Sequence, residues 1–197
     1  MIDPPQPSEE IGENKDTNIF YLSKCAYTSA EWMHEKHTVK MITESAQMLS
    51  TAVQLLSLEA DSTLYKPAYI FHPCTQWLIK SVWHYEWLMR HYEALSAKYT
   101  RLFNRNHLAY HKLVAQLREY YYLFPDNGWI DPPLCMPDKY KSPSLTTEES
   151  YRAYYLGEKI KGRCYYRVNP PFWIDRKTLL TCRKLAFVDE SGPEESP

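Results

Sequence analysis

With 197 residues and a formal net charge of −1, the chain has room for one domain with a sizeable core. No apolar run approaches the ~20 residues that a membrane-spanning helix needs, and the first residues lack a basic-then-apolar secretory leader. Five scattered cysteines never fall in C-x-x-C spacing, so a soluble cytoplasmic protein without a cysteine-built zinc site is expected.

The near-zero charge hides an asymmetry. Residues 1–16 and 189–197 are acidic, Pro- and Ser-containing and without apolar periodicity, and are expected to be disordered tails. The segment 17–188 is then basic, with 22 Lys and Arg against 15 Asp and Glu. A basic body favours an anionic partner, double-stranded DNA among them.

In chain order, Asn18–Leu22 (NIFYL) is a short apolar lead-in. Ala30–Leu56 reads as one long helix, with Val39, Ile42, Ala46, Leu49, Val53 and Leu56 as its buried stripe. At about 100° per residue, His37, Lys40 and Glu44 share a ~60° sector on the other side, flanked by Met41 and Met48. A half-enclosed carboxylate beside a histidine suits general acid or base work, although a solvated polar face fits the same pattern. His72-Pro73 marks a helix start, and a second long helix is expected over Thr75–Phe103. There Leu78, Val82, Tyr85, Leu88, Tyr92, Leu95, Tyr99 and Leu102 form the stripe, with Trp83, His84, Trp87 and His91 opposite.

A third helix is expected over about Asn106–Leu123, with Tyr110, Val114, Leu117 and Tyr121 inward, followed by a long ordered loop over Phe124–Ser144. A fourth should begin at Thr146, where Thr146-Thr147-Glu148-Glu149 offers a cap and N-terminal acids, and run to about Gly162. In the extended segment after it, Tyr165, Tyr166, Phe172 and Trp173 alternate with Arg163, Arg167 and Arg176. Aromatic planes there could stack on bases while guanidinium groups meet phosphates; a strap packed on the core explains the pattern equally well. His107 and His111 stand four apart without a third ligand, so a surface pair rather than a metal site is expected. No phosphate-binding glycine loop or G-x-S-x-G is present. The chain thus reads as an all-α, compact single domain with two long helices, needing no metal or small-molecule cofactor.

The order of these landmarks resembles the pyrimidine-dimer DNA glycosylases of the endonuclease V type, found in phages and bacteria. The family's acid-x-His followed seven residues later by its catalytic glutamate is matched by Glu35-Lys36-His37 and Glu44. Its second-helix histidine is matched by His72-Pro73, and its Pro-x-x-aromatic loop by Met136-Pro137-Asp138-Lys139-Tyr140. Its Leu-x-Glu-Lys-Ile helix is matched by Leu156-Gly157-Glu158-Lys159-Ile160, and its proline–aromatic strap by Pro170-Pro171-Phe172-Trp173. The resemblance covers about residues 18–175. It implies hydrolysis of an N-glycosidic bond at a damaged or modified base, with Glu44, His37 and Lys40 as catalytic candidates. His72, Lys159, Arg163, Arg167 and Trp173 are the DNA-binding candidates.

Two departures narrow this expectation. The family's nucleophilic α-amino group would lie beyond the acidic extension, behind bulky Ile2, and two family arginines are Thr43 and Tyr155 here. Base release without an amine nucleophile is therefore expected, unless Lys40 or Lys36 supplies one through a burial-lowered pKa. The alternatives are a DNA-binding or host-interaction module of the same fold that lacks chemistry, or an enzyme that modifies phage DNA bases.

Overall fold

The computed structural model describes residues 18–57, 59, 62–160, 166 and 170–187. The expected acidic tails lie outside the described residues. Within them the protein is all-α, with no strand, and no helix is long and apolar enough to cross a membrane.

The first long helix is in fact two: α1 (Ala26–Glu31) and α2 (Glu35–Leu56), separated at Trp32–His34. Distant partners take the backbone groups that a continuous helix would pair internally. The buried Lys98 ammonium donates to the carbonyls of Glu31 and Met33, both at 2.6 Å. The His34 N–H donates to the Tyr155 hydroxyl at 3.0 Å, while its imidazole caps α2 by accepting from His37 N–H. In α2 the stripe Ile42, Ala46, Leu49 and Val53 is fully buried, but Val39 and Leu56 are each 37% exposed. Met41, Ser45 and Met48 are buried instead, so the core-facing sector is turned toward the methionines.

The second long helix is likewise broken. α3 (Pro73–Leu78) opens on a proline and is capped by His72, and Ser81 caps α4 (Val82–Phe103) with its hydroxyl. The expected stripe is buried at Tyr85, Leu88, Tyr92, Leu95 and Tyr99, and so is the opposite side at His84, Trp87 and His91. α4 is thus the central helix, with α1 and α2 against it, and a helix covered on more than one side has no single apolar stripe.

α5 (Leu108–Glu119) packs on α2 and α4 and ends in a 3-10 turn at Tyr121–Leu123. Its innermost residues are Ala109, Leu113 and Leu117, with Tyr110, Val114 and Tyr121 only partly covered. The 124–144 loop is ordered by hydrogen bonds to the core: Trp77 Nε1 donates to the Ile130 carbonyl at 2.8 Å and Tyr151 Oη to the Pro133 carbonyl at 2.6 Å. α6 (Thr147–Tyr154) begins with a full capping box, Thr146 and Glu149 each bonding the other's backbone N–H. It continues as a π-helical turn over Tyr155–Lys159, closed by Ile160 N–H on the Tyr155 carbonyl at 2.9 Å. The last helix, α7 (Arg176–Phe187), was not expected from the sequence. Asp175 precedes it and accepts from Thr178 N–H at 2.9 Å.

Candidate functional site

α2 carries His37, Lys40 and Glu44 along one side, as their spacing predicts. The Lys40 ammonium and the Glu44 carboxylate form an ion pair at 3.1 Å, with the glutamate side chain 16% exposed and the lysine 50%. His37 lies deeper. Its ring stands 4.2 Å from His34, 4.8 Å from Phe20 and 5.2 Å from Tyr155, measured between centroids. Burial first, then the neighbouring His34, Lys159 and Lys40, pushes the His37 pKa down to about 2. Burial also lowers His34 to about 4, against the opposing pull of the Lys159 carbonyl. Both imidazoles are therefore neutral at physiological pH. His37 can orient a neighbour by hydrogen bonding but brings no positive charge to a phosphate.

The π-helical turn aims two side chains at this histidine pair. Tyr155 receives the His34 N–H and meets the His37 ring edge-on. Lys159 places its ammonium 5.7 Å above the Phe20 ring and 5.0 Å above that of Tyr154. On the outer side of the turn Lys139 pairs with Glu158 at 2.8 Å, and a Cβ on Gly157 would run into the hydroxyl end of the Tyr140 side chain. Phe20 itself has a φ of +45°, a left-handed conformation that costs a bulky residue on the order of 1–3 kcal/mol. Asn18 Oδ1 holds it there by accepting the Phe20 N–H at 3.0 Å.

The C-terminal strap closes the other flank. Trp173 is partly buried, edge-on to Trp32 and Tyr155 at 6.1 and 6.2 Å, and Tyr166 donates its hydroxyl to the Trp32 carbonyl. Arg152 stacks on the open side of Trp32 at 5.1 Å. Trp173 thus packs as a strap, and its neighbour Phe172, edge-on to Trp32, is 81% exposed.

Four segments far apart in the chain therefore meet: the helix bearing His37 and Glu44, the Pro137–Tyr140 loop, the Gly157–Lys159 turn and the Phe172–Trp173 strap. His72 belongs to a different group. It caps α3, its Nδ1 accepting from Cys74 N–H at 3.2 Å, and burial lowers its pKa, so it offers no fixed cation to DNA. Lys36 is exposed and Lys40 is half exposed and ion-paired, so neither amine is enclosed in the site. The buried lysine is Lys98, lowered to about 8 by desolvation, and its ammonium is committed to backbone carbonyls at the end of α1. His107 starts α5 against the Tyr99 ring and His111 is exposed. Trp83 is also exposed and donates to Asp126, whereas Trp77 and Trp87 are core. Arg163 and Arg167 lie outside the described residues.

Sequence reasoning missed His34 and Phe20 as parts of the site. His34 carries no local signal, because histidine is not among the preferred N-cap residues. Compared with family models, with curated proteins and with solved structures, the chain matches none of them.

Proposed function

We propose that this protein processes bases in duplex DNA, hydrolysing the N-glycosidic bond of a damaged or modified nucleotide with Glu44 as the essential carboxylate. The observation that supports this reading is the convergence just described. Of the five short motifs that resemble the endonuclease V-type glycosylases, four come from separate segments that adjoin one another around His37 and Tyr155, while His72-Pro73 stands apart.

In the reaction, cleavage of the sugar–base bond leaves positive charge on the sugar ring, which a nearby carboxylate stabilises. Water then adds at the anomeric carbon, Glu44 takes its proton, and the departing base is protonated from solvent. The neutral His37 ring, wedged between Phe20, His34 and Tyr155, fixes the inner side of the helix that presents Glu44. Lys159, partly exposed beside it, supplies a cation for the backbone phosphates. No amine nucleophile is invoked, so no covalent imine with the sugar forms.

The competing reading is a DNA-binding module of the same fold without chemistry. The Lys40–Glu44 ion pair favours it, because one oxygen of the carboxylate is already engaged within its own helix. Duplexes carrying damaged or modified bases, incubated with the protein and then cleaved with alkali at abasic sites, separate the two. The glycosylase reading predicts strand breaks that depend on Glu44 and no adduct trapped by borohydride. Binding without abasic sites on any such duplex supports the module.

A further inference from the structure

Away from this site, three ligand-type side chains from two segments come together at the start of α3. The Cys74 and Cys135 sulfurs are 3.5 Å apart, and a ring nitrogen of His72 completes a group whose ligand atoms all lie within 4.8 Å of one another. A tetrahedral zinc centre with Zn–S bonds of ~2.3 Å sets its sulfurs roughly 3.8 Å apart, so the two thiols already stand near that separation. We propose that His72, Cys74 and Cys135 form a site for a single thiophilic divalent metal ion of the Zn²⁺ kind, with water in the fourth position.

The surroundings hold these ligands in place. His72 and Cys74 flank Pro73 at the first turn of α3, and the ring nitrogen that coordinates needs its lone pair free, so metal binding replaces the bond that His72 Nδ1 accepts from Cys74 N–H. Cys135 is fixed on its loop by two partners: its carbonyl accepts from Asn18 Nδ2 at 2.6 Å, and its N–H donates to the Pro133 carbonyl at 2.9 Å. Cys74 is buried, whereas His72 and Cys135 are partly exposed, which leaves a path for the ion and a place for its water. No carboxylate belongs to the group, so a soft or borderline ion is favoured over Ca²⁺ or Mg²⁺.

Coordination takes both cysteines as thiolates, and the thiol protons leave to solvent. The bound ion would staple α3 to a loop 61 residues further along the chain. Through Asn18 it would also tie down the segment that places Phe20 on His37. Linear spacing hides this site, because C-x-x-C rules see only cysteines that are neighbours in sequence.

The test is titration of the full-length, reduced, metal-free protein with Co²⁺. The site predicts a near-ultraviolet thiolate-to-cobalt charge-transfer band that saturates at an equimolar ratio and is displaced by Zn²⁺. The band should be lost in Cys135→Ser and kept in Cys25→Ser, whose cysteine is exposed and outside the group. Zn²⁺ should raise the melting midpoint of the wild type and leave that of Cys135→Ser unchanged. Should Cys135→Ser lose its helical circular dichroism, His72→Gln is the second variant, binding Co²⁺ at least about tenfold more weakly. Absence of the band under reducing conditions, or its persistence in both variants, overturns the proposal. So does a protein that closes a Cys74–Cys135 disulfide in air and takes up no Co²⁺ after reduction. Glu44→Gln should keep the band, so the fate of this site and that of the glycosylase reading are separable.

Discussion

His34 and His91 are buried and His37 is half-buried, and the pKa values of His37, His34 and His91 are lowered to about 2, 4 and 3, in each case chiefly by desolvation. In the unfolded chain each titrates near 6.5, so below that pH the unfolded state binds more protons than the folded one. The stability gained from keeping them neutral is therefore complete above about pH 7 and is lost as pH falls through about 6.5. Each histidine contributes a slope of up to ~1.4 kcal/mol per pH unit. Urea denaturation should show a marked decline in stability from about pH 6.5 to 5, before most carboxylates titrate, and only a slight rise from about pH 7 to 8 as Lys98 begins to lose its proton. His91 stacks on Trp87 at 5.0 Å, and among the described residues neither of its ring nitrogens has a partner. His91→Phe keeps the ring and removes the orphaned polar atoms, so it should be neutral or stabilising and should flatten that decline. A loss beyond ~1 kcal/mol in the same measurement would contradict the assignment of His91 as a neutral packing group.

At the scale of elements, the two helix breaks and the π-helical turn position the site, and each depends on partners distant in sequence. Lys98 closes the end of α1 from 65 to 68 residues away. Lys98→Met should therefore cost about 3 kcal/mol, because buried carbonyls lose a charged donor and gain nothing in return; chemical denaturation measures this. A Cβ on Gly157 would displace the hydroxyl end of Tyr140. Gly157→Ala should destabilise by ~1–3 kcal/mol, and Gly157→Ala with Tyr140→Ala should cost less than the sum of the two single changes.

The same dependence on distant partners explains what the sequence disclosed. Thr146-Thr147-Glu148-Glu149 announced α6 because a capping box is local, and Ile42, Ala46, Leu49 and Val53 announced the core of α2 because periodicity is local. The break at His34 was invisible, since its backbone partner Tyr155 is 121 residues away. The co-facial His37, Lys40 and Glu44 could be read from spacing alone. That His37 would be neutral could not, because its burial comes from Phe20, His34 and Tyr155. α7 was hidden by the preceding prolines and aromatics, which read as continuing extended chain.

At the scale of the whole molecule, a helical body is built around α4, with the motifs that adjoin His37 and Tyr155 gathered on the His37 side of α2. If this body engages duplex DNA, affinity should fall steeply with added salt as phosphate contacts release counterions. Lys159→Ala should then weaken binding to all sequences alike and reduce the salt slope by about one contact, readable by fluorescence anisotropy across a salt series. The central claim rests on Glu44, and one variant examines it most directly. Glu44→Gln keeps the size and hydrogen-bonding capacity of the side chain and removes the charge that distinguishes the transition state from the ground state. Base release from damaged or modified duplex, measured with DNA affinity and circular dichroism on the same preparation, should fall at least about a hundredfold while fold and affinity are retained. Undiminished base release by a folded Glu44→Gln protein would contradict the account.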